Sequence, residues 1–252
     1  MANHPAPQRQ FCQQALPTEA TIFLIGVVHG DPQGYTRAWT LLHRLQPRVI
    51  TVEISRFSLA YRKRQTAVWQ QQLETARREL PAQQREHLAL TRIAAQIAWP
   101  FEAAVAAAYA TEAGIPWEPV DLNLLSRRHL PLYSRELLTS ANLRALVLTP
   151  DGEWEEDIRQ QYRQAAKALA QTEAPALPGL TASPYQRLRE KILAMRLRRL
   201  AKQWGRLVHF GGWEHLKLAS SPRTLASYLQ KQQPVRLLLC AADPNPEMVP
   251  LS

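Results

Sequence analysis

Two spacings carry the chemistry of this sequence: Gly26-Val-Val-His29 and Gly212-Trp-Glu-His215. Each sets an imidazole three residues beyond a glycine at the end of an apolar run. A position without a Cβ permits the sharp turn or close backbone approach that such a corner needs. Imidazole titrates near neutrality and ligates metals in its neutral form, so two of them in one pocket suit acid–base work or metal ligation. Asp31, Glu53 and Asp121 offer carboxylates to the same pocket. His29 and His215, with Glu53 or Glu102, would make a mixed nitrogen and oxygen donor set for a divalent cation. Manganese, cobalt, iron and zinc all accept such a set. Without a metal, Glu53 would activate water directly and a histidine would be its acid partner.

Each of these residues also has a plainer role open to it. A single histidine is most often a satisfied structural group, and it is the pairing of His29 with His215 that favours function. Glu53 is also the first polar residue after an apolar run, and Glu102 falls in the first turn of a helix, where a carboxylate offsets the macrodipole. His209 lies one alternation inside its strand and reads as packing or support for the site. His43, His87 and His129 sit in helical, Arg-rich surroundings and read as surface residues, and His4 belongs to a polar leader. Glu214 adjoins His215 and must point elsewhere. The chain has no H-E-x-x-H motif, no G-x-S-x-G elbow and no phosphate-cradling glycine loop.

The elements that must position these groups follow from hydrophobic periodicity. Thr21–Val28 is nearly all apolar, as in a strand buried on both faces, and it closes on the turn formers His29-Gly-Asp-Pro-Gln-Gly34. Helical spacing over Tyr35–Leu45 and a second apolar run at Arg48–Glu53 predict a β-α-β unit with parallel strands. Leu59–Gly114 reads as helix broken at Pro81 and Pro100. Ile115–Asp121 reads as a short strand whose two prolines suit an edge. A polar helical region spans about 124–170, and 171–184 reads as a loop. A strong amphipathic helix follows at Tyr185–Trp204, then a strand at Gly205–Gly211, a helix at Pro222–Gln230 and a strand at Val235–Cys240. The prediction is a single α/β domain over 1–252: a mostly parallel or mixed central sheet flanked by helices, with a polar leader at 1–18 and a large helical insertion at about 124–184. Ligands of such sheets bind beyond the carboxyl ends of the strands, where His29, Asp31, Glu53, Asp121 and His215 would be delivered.

The composition narrows the partners. The 252 residues carry 31 Lys and Arg against 21 Asp and Glu, a net charge of +10. The arginines are spread over several helices and are densest at Arg187–Arg206, with no zinc finger or aromatic RNA-binding motif beside them. Solvated helix faces explain them better than a nucleic-acid surface. Phe101–Ala110 is too short to span a bilayer, so no membrane span is expected. Cys12 and Cys240 form no local pair and suit reduced thiols in a cytoplasmic protein. The partner expected is a small molecule or peptide. The central insertion, with Trp154 and Tyr162, either caps the cleft or forms the interface of a homo-oligomer.

Taken in order, Leu24-Ile-Gly-Val-Val-His-Gly-Asp-Pro32, Val52-Glu53, Phe101-Glu-Ala-Ala104, Val120-Asp121 and Gly211-Gly-Trp-Glu-His-Leu216 resemble the TraB family, within the superfamily of Tiki proteases, GumN, ChaN and erythromycin esterases. The likeness covers most of the chain but is carried by short motifs. It implies a cleft lined by His29, Glu53, Glu102 and His215, and it sets Arg189-Glu190 in the place of an Arg–acid pair. One departure stands out: Leu122 follows Asp121 where TraB-like chains often carry Arg, and Arg127 or Arg128 would have to substitute. The function implied is a metal-assisted hydrolase of peptide or ester bonds. The alternative is a protein that sequesters a peptide signal or a tetrapyrrole without turning it over. Nucleic-acid association through Arg187–Arg206 is a third, weaker alternative.

Overall fold

The computed structural model describes residues 21–170, 183–218 and 224–239. Five strands form one sheet: β1 (Ile22–Val27), β2 (Val49–Val52), β3 (Trp117–Pro119), β4 (Leu207–Gly212) and β5 (Val235–Leu238). Their order is β3-β2-β4-β1-β5, and every neighbouring pair is parallel. The expected α/β fold is therefore present, with a wholly parallel rather than mixed sheet. β3 is an edge strand, as Pro116 and Pro119 require. The expected β-α-β unit is there, but β4 is inserted between its two strands.

The two faces of the sheet follow from the alternation along each strand. Phe23, Ile25 and Val27 of β1, with Ile50, Val208 and Phe210, pack against α1 (Gly34–Leu45) and α4 (Phe101–Ala113) through Leu41, Leu42, Leu45, Val105 and Tyr109. Ile22 and Leu24 face the opposite way, onto Leu193 and Leu197 of α8 (Pro184–Trp204) and Leu225 and Leu229 of α9 (Leu225–Leu229). Leu24 is wholly buried, so its truncation to Ala should cost about 2–5 kcal/mol. Gly26 is fixed by a close approach: a Cβ there would lie 2.9 Å from the Cα of Trp213.

A third cluster stands apart from the sheet. Trp69 and Leu73 of α2 (Arg56–Arg78), Leu90 and Ile93 of α3 (Leu88–Ile97), Leu130, and Leu143 of α6 (Ser140–Leu146) form it. α5 (Asn123–His129) leads into this group, and α7 (Trp154–Ala170) returns to the sheet, burying Ile158 and Tyr162 in the first core. The off-sheet packing thus begins with α2, well before the boundary near 124 expected from the sequence. Among the described residues no helix is long and apolar enough to cross a membrane. The leader, His4, Cys12, Cys240 and most of the loop at 171–184 lie outside the described residues.

This topology fixes where a cleft must open. From β1 the chain crosses over α1, on one face, to β2; from β4 it crosses over α9, on the other face, to β5. β1 and β4 are neighbours, so their outgoing loops diverge and leave a crevice beyond their carboxyl ends. His29 follows β1 at this crevice, and Gly212 ends β4.

Candidate functional site

Four strands deliver the site. β1 runs into His29, β2 into Glu53, β3 into Asp121, and β4 ends in Gly211-Gly212 before a 3-10 turn, Trp213–Leu216, that carries His215. The ladder continues past the strand ends: the Glu53 N–H donates to the Phe210 carbonyl at 2.8 Å and the Asp121 N–H to that of Ile54 at 3.1 Å. Glu53 and Asp121 are thereby held by main-chain bonds as well as by their side chains.

Glu53 is the hub of a buried network. Its Oε1 accepts from Nε2 of His215 at 2.8 Å and from the guanidinium of Arg189, and its Oε2 accepts from the Gly212 N–H at 2.7 Å. Arg189 grips Asp121 as well, with donor distances of 2.7 and 2.9 Å. The other ring nitrogen of His215 meets Glu190 Oε1 at 2.7 Å. Burial opposes the charges of Glu53, His215 and Arg189, but their partners outweigh it. His215 and Arg189 hold the Glu53 carboxyl well below the ordinary carboxylate range. Glu53 and Glu190 in turn lift His215 to about 10. Arg189 is raised further still by Asp121 and Glu53. Glu53 is therefore a weak base: three donors, two of them cationic, favour its charged form, and protonation would weaken those bonds.

Gly211 and Gly212 make this network possible. A Cβ at 211 would fall 2.8 Å from Glu53 Oε2 and 2.9 Å from Nε2 of His209, so only glycine fits. His209 is the support the alternation predicts: it is buried, its Nδ1 lies 3.0 Å from the Thr51 hydroxyl, and burial drives it down to about 4, so it stays neutral.

His29 stands apart from this hub. Its Nδ1 lies 2.7 Å from Glu102 Oε1; the imidazole is 63 % exposed and the carboxylate 4 %. Glu102 is fixed in the first turn of α4, where the helix N-terminus favours its charge. Loss of water around the ring within the cleft works against its protonation. The hydrogen bond and charge of Glu102 prevail and raise it to about 9. The arrangement is a carboxylate–imidazole dyad with Nδ1 engaged and the opposite nitrogen turned toward Gly212.

His29 and Glu102 line a cleft of about 610 Å³ together with Glu53, Asp121, Arg62, Trp99 and Trp154. Trp154 and Gln161 of α7 reach this wall, so the central insertion contributes to the cleft. Asp31 lies there too but is occupied. Its Oδ2 accepts from Arg37 at 2.6 Å and from the Tyr162 hydroxyl at 3.1 Å, and its Oδ1 from the Gln33 N–H at 2.9 Å. It anchors the turn and α7 rather than serving as a free group.

The structure thus brings Glu53, Asp121, Arg189, Glu190 and His215 into one network and sets His29 with Glu102 beside it. Arg189, not Arg127 or Arg128, answers the missing arginine after Asp121; Arg127 instead lies over the ring of Phe57 at 5.1 Å. The expected metal ligands are paired with one another as His29–Glu102 and Glu53–His215, and both nitrogens of His215 face carboxylates. Among the described residues no group of three or more His, Cys, Asp or Glu side chains is arranged to hold a metal ion. These residues do not fit a metal. His87 is buried, contrary to the surface placement expected: its Nε2 meets the Thr149 carbonyl at 3.0 Å and its Nδ1 accepts from the Ala89 N–H at 3.1 Å. The sequence also gave no sign of Arg62 as a wall of the cleft, since it sits in an Arg-Lys-Arg run that reads as a solvated helix face. Compared with known proteins, the chain matches no family model, no curated protein and no solved structure.

Proposed function

We propose that the protein is a metal-independent hydrolase of ester or peptide bonds, of the TraB group, in which His29 moves the proton. One observation carries this: a largely exposed imidazole that lines a 610 Å³ cleft and is clamped at 2.7 Å by a buried carboxylate. In its neutral form, with the Nδ1 proton donated to Glu102, His29 accepts a proton at Nε2 from the attacking water as the new C–O bond forms. The same nitrogen then gives that proton to the leaving oxygen or nitrogen as the scissile bond breaks. Glu102 orients the ring and stabilises the imidazolium between the two steps. Glu53 is not the base, because His215, Arg189 and the Gly212 N–H already occupy it. The Glu53 network fixes the loops that shape the cleft. We read the protein as cytoplasmic, because two cysteines far apart in the chain suit reduced thiols.

The test is hydrolysis of 4-nitrophenyl esters and of a peptide library by the purified chain. Because His29 must be neutral to act as a base, kcat/KM should rise about tenfold per pH unit and level off above about 9. His29→Gln should lose about 10²- to 10⁴-fold in kcat. Binding of these compounds without turnover above buffer would overturn the proposal in favour of a sequestering protein.

A further inference from the structure

Arg62 lies in the second turn of α2 and lines the same cleft as His29, Glu102, Trp99 and Trp154. Its Nη1 donates to the carbonyls of Gln96 at 2.8 Å and Ala98 at 3.0 Å, and its Nε to the Ser58 hydroxyl at 3.4 Å. These bonds use orphan carbonyls at the end of α3 to hold the guanidinium in one place. They do not neutralise it. The other cations of the cleft wall have carboxylate partners, Arg92 in Asp157 and His29 in Glu102. No carboxylate among the described residues forms an ion pair with Arg62. Burial disfavours its charge, and the nearby Glu102 and Tyr133 only partly compensate. The guanidinium also lies 5.9 Å from the Trp69 ring centroid, a cation–π contact that leaves its charge without a counter-ion. A fixed, partly desolvated cation without a counter-ion attracts an anion far more strongly than one in open water.

The same wall is apolar beside it. Trp99 is 40 % exposed, and the edge of Trp154 would lie 3.3 Å from a Cβ on Gly30, the residue next to His29. We propose that Arg62 selects the substrate: an ester or amide with an apolar or aromatic part against Trp99 and Trp154 and a carboxylate paired with Arg62. This rests on the hydrolytic role of His29. A singly charged carboxylate matches one cation whose Nε and Nη1 are already engaged; a phosphate dianion would call for a second unpaired cation.

Two measurements test this. In calorimetric titration, phenylacetate should bind the purified protein at least about tenfold more tightly than phenylacetamide, which has the same shape without the charge. Arg62→Gln should bring the two affinities together, and Arg62→Lys should keep part of the preference. In hydrolysis, kcat/KM should favour mono-4-nitrophenyl glutarate over 4-nitrophenyl butyrate, and Arg62→Gln should remove that preference through KM. A residue that only ties down the end of α3 would change the melting temperature and leave both ratios intact. Equal affinities in the unaltered protein, no phenylacetate binding at all, or a preference that survives Arg62→Gln would each overturn the proposal. Failure of the hydrolase assignment looks different: neither ester is turned over, yet phenylacetate still binds through Arg62.

Discussion

Gly212 stands beside the open edge of His29: a Cβ at position 212 would lie 3.5 Å from Nε2 of the imidazole. That is the distance at which a methyl group begins to crowd whatever the nitrogen bonds to. The same Cβ would be 3.7 Å from Glu53 Oε2 and 3.8 Å from the His215 ring, all ordinary contacts. Gly212→Ala should therefore fold with stability changed by less than about 1 kcal/mol, yet lose activity at least about tenfold by obstructing Nε2. Gly211→Ala is the contrasting variant. Its Cβ would meet Glu53 Oε2 at 2.8 Å and His209 Nε2 at 2.9 Å, both held in place, so unfolding should become easier by about 1–3 kcal/mol. Thermal melts and ester hydrolysis on the two variants separate these effects. Equal loss of stability in both would show that Gly212 is a packing residue.

The charges of the site give stability a definite pH dependence. His215, at about 10 in the fold against 6.5 when free, contributes stability that is fully present below about 6.5 and is lost as pH climbs through 10. His29 behaves alike, its contribution disappearing by about 9. Glu53 acts in the opposite sense: its carboxylate stabilises the fold above its ordinary value of 4.5, and that contribution is lost as pH falls through its depressed folded value. The melting temperature should peak between about pH 5 and 6.5 and fall by several degrees by pH 9 to 10. A His29→Gln, His215→Gln double variant should have a flatter profile over that alkaline range. Identical alkaline slopes would mean that neither ring is protonated in the fold.

Much of this was legible in the sequence, for physical reasons. β1 and β4 are buried on both faces, so their apolar runs stand out, and the corner histidines follow from where those runs stop. Pro100 put Glu102 in the first turn of a helix, where a carboxylate offsets the macrodipole in any case, so only the TraB resemblance pointed to it as part of the site. What stayed hidden depended on which strands are neighbours. The insertion of β4 between β1 and β2 puts the Gly212 N–H on Glu53, and no local pattern encodes that. Arg62 was hidden for the same reason, since its place in the cleft depends on where the end of α3 lies. His87 failed differently: its Arg-rich neighbours face solvent while its own ring caps α3, which charge counting along the chain does not reveal.

Arg189 should be the most costly single loss in the network. Its guanidinium is the shared partner of Glu53 and Asp121, all three side chains being mostly buried. Arg189→Met would leave Asp121 without its cation and Glu53 with His215 as its one cationic partner, at a cost of about 3–5 kcal/mol. Arg189→Lys keeps the charge but cannot grip both carboxylates with one planar fork, so it should recover less than half of the loss. Chemical denaturation of the three proteins measures this directly. A Lys variant as stable as the parent would show that charge alone, without fork geometry, holds the network.

Chelation should leave this protein unchanged. His215 could ligate a cation only by giving up Glu53 or Glu190, and it would have to lose a proton that the fold holds up to about 10. His29 has one nitrogen to offer, but its nearest carboxylate is engaged on the other side of the ring. Binding a metal would thus break an ion pair of His215 and release protons that are tightly held at neutral pH. Dialysis against EDTA should alter neither the melting temperature nor ester turnover, and elemental analysis should find well under one metal per chain. A stoichiometric metal whose removal abolishes turnover, restored by adding it back, would require the Glu53–His215 pair to open in the working enzyme. The proton carrier would then be metal-bound water rather than His29.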